Sequence, residues 1–502
     1  MISCLTIPYA LALLVLGSWY YTTQGLKRKL ADIPLGSSNG LFSPLTDPFR
    51  SVLNASGIVK QGYDNFRGSL FKIPVLTQWV VLITTPTLIE DLQKASDDVI
   101  SSLEGLKDLV QAEHTLGKSF YEDPYVPNVV KGRFTRNIVA KFAEITDEIS
   151  ASFDELFPQK DDWELINLND ALMPLVARTS NRFFSGLPLC RNPDYLDLNI
   201  RYTIRVILAA SFIGRFPTFI KPLVGKFVSP LPAAVRRAKR HLVPIIQERL
   251  ANEEYYGEGW AERPNDLLTW LLSKATTDSR RTIDDLVLRF LSANLAAIFS
   301  TNMIASFAVS SLALHSEYVD ELRDEIEDVV SEHGWTKAGM DEMRKLDSFL
   351  KESQRCYLSF AYGLERKVLK DFTFSNGVTV PAGATLAVPM WAIHHDNDYF
   401  PDADKFDGFR FSRMREDPGQ SFKHQMVASR ADFLLFGTGR QACPGRFFAV
   451  NEVKAIIAHL LLAYDFKLEV EGAMPPIKWL GSRGMQDDKT RFWFRRRKCS
   501  TL

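Results

Sequence analysis

Cysteine is scarce in this chain, and the five present stand far apart: Cys4, Cys190, Cys356, Cys443 and Cys499. No CxxC pair occurs, which excludes a zinc ribbon and argues against a disulfide framework. A reducing compartment fits that usage. Net charge is missing as well. Sixty Lys and Arg balance sixty Asp and Glu, so composition gives no sign of a nucleic-acid partner. Internal repeats and low-complexity tracts are also lacking. What the chain does have is 502 residues with 46% hydrophobic content, enough for one large globular domain or several.

An uncharged apolar run appears near the start. Leu5 to Tyr21 reads LTIPYALALLVLGSWYY, about 17 residues, at the short end for a membrane-spanning helix. Trp19, Tyr20 and Tyr21 cluster at one end, where amphipathic rings favour the headgroup zone. Lys27, Arg28 and Lys29 follow, and no basic side chain precedes the run. Basic flanks stay cytosolic, so the expectation is a single-pass anchor over residues 1–23 with the body in the cytosol. The alternative is a cleaved signal peptide, which opens with basic residues and ends in a small-x-small site. The first is absent and the second is not clear. Asn54-Ala55-Ser56 is a glycosylation sequon that cytosolic topology leaves unused. A Gly-, Pro- and Ser-rich stretch over 24–48 reads as a linker, followed by a single body over 49–502.

Within the body, Trp79 to Ile83 (WVVLI) predicts a short strand ended by Pro86. From Leu88 to Leu350 the periodicity is mainly helical. Ala293 to Leu314 is apolar all round, yet too polar for a second membrane span, and predicts a buried central helix. Phe372 to Val388 turns extended, with Asn376-Gly377 and Ala382-Gly383 as turn signals. The fold class is mainly α with a small β portion.

The chemistry concentrates at Phe436 to Ala449, FGTGRQACPGRFFA. Apolar residues recur at helical spacing after Gly445, so Cys443 stands just before a helix start, where free N–H groups and the helix dipole favour an anion. That is the setting for a thiolate. Gly437 and Gly439 permit tight turns that aim amides at the sulfur. Gly445 leaves room for a flat object, Phe436 can pack on it, and Arg440 can neutralise an anionic edge. A flat, thiolate-ligated partner with an anionic edge is haem.

This stretch resembles the cysteine loop of the haem-thiolate monooxygenases, the cytochromes P-450, in the form used by filamentous-fungal secondary-metabolite members. The resemblance implies their mainly α fold, with Cys443 as axial ligand to the iron of haem b. Gln441 stands where the family usually has a basic residue. Glu352 and Arg355 in LKESQR resemble the family's Glu-x-x-Arg pair, on one helix face at i,i+3. FDGFRF, Phe406 to Phe411, resembles the segment whose arginine, here Arg410, completes a structural Glu-Arg-Arg network. VPNVVKGRFTRNI, Val126 to Ile138, resembles the helix beside the haem propionates. It makes Lys131, Arg133 and Arg136 candidates to hold them; a solvated basic face is the plainer reading. Arg430, Arg440 and Arg446 are candidates for a face that docks an acidic reductase.

In the central helix the family pattern is Ala/Gly-Gly-x-Asp/Glu-Thr-Thr, and this chain reads Ala296-Ala297-Ile298-Phe299-Ser300-Thr301. Ser300 and Thr301 are the candidate catalytic residues, with Ser300 in place of the threonine and Phe299 in place of the acid. The resemblance implies insertion of one oxygen atom from O2 into a lipophilic secondary metabolite. A terpenoid is the first expectation; a polyketide or an indole-derived compound is the second. Electrons would come from NADPH through an NADPH-cytochrome P-450 reductase at the endoplasmic reticulum membrane. The competing expectation, which Phe299 and Ser300 keep open, is a reductase-independent haem-thiolate isomerase or lyase acting on an already oxidised substrate.

Overall fold

The computed structural model describes residues 25–36, 50–51, 55–75, 78–257, 259–357 and 360–498. The anchor expected over 1–23, much of the 24–48 linker, Asn54, Cys4 and Cys499 lie outside the described residues. Helices account for most of what is described, and the strands gather into small sheets.

Strand β1 (Leu70–Val75) pairs antiparallel with β2 (Gln78–Ile83), the strand predicted from WVVLI. Next come β3 (Ile100–Ser101), β4 (Glu164–Asn167), β5 (Gly363–Val368), β6 (Phe372–Thr373), β7 (Thr379–Val380) and β8 (Thr385–Val388). The chain ends with β9 (Tyr464–Leu468), β10 (Ile477–Leu480), β11 (Arg483–Gln486) and β12 (Arg491–Arg496). Among the described residues the largest sheet has the order β1-β2-β8-β5-β3, with β2 and β8 parallel. The predicted Asn376-Gly377 turn joins β6 to β7, with Gly377 at φ +84. The β5 strand and the β4-β12-β9 sheet were not expected from pattern. Their alternation is broken by charge, as in GLERKV and RFWFRR.

The central helix spans Ile283–Leu314 and so begins well before Ala293. Asp284, Asp285 and Arg289 interrupt the apolar run before Ala293, which hides its first three turns from a hydrophobicity reading. Thr282 caps it by accepting the Asp285 N–H at 3.2 Å, and Asp284 and Asp285 sit at the positive end of the dipole. The helix is long and apolar enough to cross a membrane, but 67% of its apolar window is buried inside the protein. It packs on the helices Leu168–Phe184, Pro193–Ile213 and Arg446–Ala463. Its buried amides are paired: Asn294 accepts from Asn181 at 2.8 Å and Asn302 donates to Asn169 at 3.1 Å. The Oδ1 atoms of Asn181 and Asn302 find no partner among the described residues.

Two cores result, one among the helices and one on the sheet. The cysteine loop lies at their seam: Leu434 belongs to the sheet core, while Phe436, Cys443 and Phe447 belong to or border the helical one. Cys190, Cys356 and Cys443 are all free.

Candidate active site

The cysteine loop is a tight fold-back built on two left-handed glycines. Gly437 lies at φ +68 and Gly439 at φ +65, a region that side-chain-bearing residues enter only under strain. Space reinforces the requirement. A Cβ on Gly437 would meet Leu364 Cδ2 at 3.2 Å, and one on Gly439 would meet Gln93 Cγ at 3.1 Å. The fold-back closes when the Cys443 N–H donates to the Phe436 carbonyl at 2.7 Å. Gly445 then leads into the helix Arg446–Ala463, and the N–H groups of Gly445 and Arg446 point at the sulfur. Burial pushes the Cys443 thiol above its ordinary value, opposed by those two amides and by the Arg446 charge. A Cβ on Gly445 would meet nothing within 4 Å.

The loop is held by a buried polar network. Arg355 grips Glu352 with two bonds of 2.8 Å, and both side chains are fully buried. Arg410 reaches Glu352 Oε1 at 3.1 Å, and the Asp407 N–H donates to the same oxygen at 3.0 Å. Arg355 also donates to the carbonyls of His394 and Ala403, each at 2.7 Å. The structure therefore brings Glu352, Arg355 and Arg410 together as one unit. Removing one member of a buried pair costs about 3–5 kcal/mol, because the partner charge is left uncompensated. His394 carries the network to the loop: its Nε2 accepts the Leu434 N–H at 3.1 Å, and the Leu434 carbonyl accepts from Gly437 at 2.9 Å.

The central helix offers an open face in an otherwise buried element. Ala293, Ala296, Ala297, Ser300 and Met303 are the accessible or half-accessible positions of one stripe, and Ala296 is exposed midway along a core helix. Small side chains on that stripe leave room beside it. Ser300 lies on it, its Oγ donating to the Ala296 carbonyl at 2.7 Å. Thr301 is on the buried side, only 1% exposed, and its Oγ1 has no partner among the described residues. Phe299 is half-buried. Ala297, Cys443 and Phe447 border the same core.

The basic candidates divide. The Val126 to Ile138 segment carries a single π-helical turn, Val130–Phe134. It buries Phe134 against Phe183, Phe184, Phe448 and Trp270, with ring centroids 4.7 to 5.8 Å apart. Lys131 reaches the cysteine loop, donating to the Arg440 carbonyl at 3.0 Å. Arg133 turns to Ser273 Oγ at 3.0 Å. Arg136 folds back on the Gly132 carbonyl at 3.4 Å and borders a small cavity of about 170 Å³ with Trp270. Arg440 is exposed and donates to the Ala95 carbonyl at 3.0 Å. Gln441 donates to Asp97 at 2.7 Å, which fixes the loop at the position where a basic residue was expected. Arg430 is paired with Asp432, and Arg446 donates to the Cys443 carbonyl.

Two residues were not singled out by sequence reasoning. One is His394. The other is Arg366 in β5, whose guanidinium is depressed below its ordinary value by burial and makes no ion pair among the described residues. It lies near Asp97, the carboxylate that holds Gln441. A half-buried arginine without a carboxylate partner is suited to an anionic group. In the sequence it stands between Glu365 and Lys367 in GLERKV, where nothing sets it apart.

This set of residues accommodates a haem: a sulfur faced by two amides, open space over Gly445, a small-residue helix face, and unpaired cations nearby. The comparisons agree. A family model described as Cytochrome P-450 matches residues 59–491. Cytochrome P-450 monooxygenase 151 of Postia placenta is 36% identical over 97% of this chain and 98% of its own length. Cytochrome P-450 monooxygenase 103 of the same fungus is 36% identical over 98% of each. Cytochrome P-450 monooxygenase AN1598 of Emericella nidulans is 34% identical over 88% of this chain and 83% of its own length. This chain belongs to the cytochrome P-450 family, among its fungal members. It is a monooxygenase, an oxidoreductase of the haem-thiolate class.

Proposed function

We propose that this monooxygenase holds haem b on Cys443 and inserts one oxygen atom into a lipophilic secondary metabolite, with a terpenoid as the first substrate class. The observation that carries the reading is the sulfur of Cys443, faced by the Gly445 and Arg446 amides at the start of a helix. When bound, the haem supplies dioxygen activation, assisted by electron donation from the thiolate. The residues of this chain do the rest. Phe436 would pack against the macrocycle. Lys131, Arg440 and Arg366 are the cations available to its anionic edge. The Glu352, Arg355 and Arg410 unit keeps the loop in place through His394. Ala296 and Ala297 leave space beside the central helix for oxygen and substrate.

Proton delivery falls to Ser300. Its hydroxyl lies on the open face and is oriented by the Ala296 carbonyl, so it can hold a water and pass a proton inward. Phe299 carries no exchangeable proton. Thr301, on the buried side, can support the helix but not the open face.

Electrons arrive from NADPH through a flavin reductase. Lys131 and Arg440, both exposed beside the cysteine loop, give that partner a basic surface. Residues 1–23 anchor the enzyme in the endoplasmic reticulum membrane, 24–48 link it, and the catalytic body over 49–502 faces the cytosol. The test is spectroscopic and then catalytic. The reduced carbon-monoxide complex should show the red-shifted Soret band of thiolate ligation, and Cys443→Ala should abolish it. An unchanged band in the variant defeats the assignment. Product should form only with reductase and NADPH, and turnover without them would establish the isomerase reading instead.

A further inference from the structure

The helix Arg344–Tyr357 carries more than Glu352 and Arg355. Beside Glu352 stands Lys351, whose side chain is fully buried. Its Nζ donates to the carbonyls of His424 and Gln425, each at 3.2 Å. It also lies 4.3 Å from the ring centroid of Phe411 and 4.5 Å from that of Phe433, within cation–π range of both.

No carboxylate pairs with Lys351 among the described residues. Asp347, one turn earlier, accepts the Met426 N–H at 2.9 Å and is shared with Lys454 at 3.4 Å and Arg415 at 3.5 Å. Asp432 is spent on Arg430, at 2.8 and 2.6 Å. Burial pushes the Lys351 ammonium below the ordinary lysine range. A methionine would fill the same space without that cost. Fold stability therefore does not account for a lysine here.

Its contacts do. The stretch ahead of the cysteine loop is tied to the helix Arg344–Tyr357 at two places. At Phe411 and Ser412 the backbone N–H groups donate to Ser348 Oγ, each at 3.0 Å. Farther on, Lys351 and Asp347 hold three successive residues, His424, Gln425 and Met426. Ser429 Oγ then donates to the Gly437 carbonyl, inside the cysteine loop, at 3.1 Å. Phe433 touches both Lys351 and the stacked ring of His394, which accepts the next N–H, that of Leu434. Lys351 and His394 thus grip the same approach to Cys443 from two different elements.

We propose that Lys351 is a positioning residue for the monooxygenase reaction: its amine clasps the backbone at 424–425 and the Phe433 ring, and so fixes the approach of the loop that carries Cys443. The purpose of the clasp rests on the haem-thiolate reading above; its existence does not.

The experiment compares the full-length haem-loaded protein with Lys351→Met, which keeps the stem and removes every donor, and Lys351→Gln, which restores an N–H pair. Peptide-resolved amide hydrogen exchange is read beside denaturant unfolding and the carbon-monoxide band. In Lys351→Met, exchange over 424–437 should quicken roughly tenfold. Peptides from the helix Arg446–Ala463 and the unfolding midpoint should stay near wild type. The thiolate band should decay to the non-thiolate form roughly tenfold faster on warming, and Lys351→Gln should recover part of both effects. Unchanged exchange over 424–437 would overturn the proposal. So would exchange that rises equally in every peptide as the midpoint falls, because Lys351 would then be a packing residue only. If Lys351→Met does not accumulate, Lys351→Gln and Phe411→Leu carry the test, and the absence of a confined increase in both overturns it. A wild type without the thiolate band, whose variants still show the confined increase, would defeat the proposed function and leave the clasp standing.

Discussion

His394→Phe probes how the buried network grips the cysteine loop. The ring of His394 is buried, stacks on Phe433 at 5.2 Å and 11°, and accepts the Leu434 N–H through Nε2 at 3.1 Å. Phenylalanine keeps the stacking and removes the acceptor. The Leu434 N–H, buried with nowhere else to go, then costs about 1–3 kcal/mol. The pH dependence separates this cost from mere crowding. Burial, reinforced by the neighbouring His395 and Arg355 charges, pushes the His394 imidazole down to about 3 from an ordinary 6.5. Between those values the unfolded ring binds a proton that the folded ring refuses, so acid favours unfolding. The stability tied to His394 is fully present above pH 6.5 and is lost as pH falls toward 3, at up to about 1.4 kcal/mol per unit. Phenylalanine takes no proton. The advantage of wild type over variant, about 1–3 kcal/mol at pH 7.5, should therefore shrink by about 2 kcal/mol at pH 5, where the two stabilities should nearly meet. Denaturant unfolding followed by circular dichroism at several pH values measures the difference directly. His424 and His459 titrate in both proteins and cancel. A difference constant from pH 7.5 to 5 would refute the reasoning.

Glu452, fully buried, accepts from Thr179 at 2.5 Å and Ser180 at 3.0 Å, and burial pushes its carboxyl up to about 8 from an ordinary 4.5. Folding thus keeps a proton that the unfolded chain releases, so stability falls as pH rises between those values. Glu452→Gln should match wild type near pH 5 and exceed it by a few kcal/mol above pH 8 in the same unfolding assay. Ser300→Ala should divert electrons, lowering product per NADPH by roughly tenfold with peroxide in its place, while Thr301→Ala should do less; equal yields from wild type and Ser300→Ala would assign the relay to another group. Arg366→Met should speed haem loss to apomyoglobin by about tenfold, the loss of one charge-assisted hydrogen bond, and an unchanged rate would remove Arg366 from the propionate set.

What the sequence disclosed depends on how local each feature is. The Phe436 to Ala449 loop could be read because its glycines, cysteine and helix start are contiguous, and each is fixed by backbone geometry. Glu352 and Arg355 were visible as a helical pair, but surface pairs of that spacing are common; burial is what makes this one structural. His394 and Arg366 stayed hidden for the opposite reason. His394 acts through the N–H of Leu434, forty positions away, and Arg366 through a carboxylate it lacks. Neither property is written in neighbouring residues. The central helix was found but begun too late, since charges at Asp284, Asp285 and Arg289 interrupt its first turns. The π-helical turn at Val130–Phe134 left no spacing signature, yet it decides that Lys131 meets the loop while Arg133 and Arg136 turn elsewhere.

Strand β5 works on two fronts. Leu364 and Arg366 belong to the side of the cysteine loop, while Glu365 and Lys367 line a cavity of about 860 Å³ on the other face. The pairing with β8 slips between Gly363 and Arg366, where Leu364 takes a left-handed φ of +58. That irregularity sets which residues face which way, because successive side chains in a strand point to opposite sides. Deleting one residue at the slip would exchange the two sets, sending the acid toward the cysteine loop and the arginine into that cavity. A substitution in β5 changes one of the two faces, as Arg366→Met does, but an insertion or deletion there would change both in a single event. Diversification of this enzyme should therefore proceed through replacement along β5, while its length stays fixed.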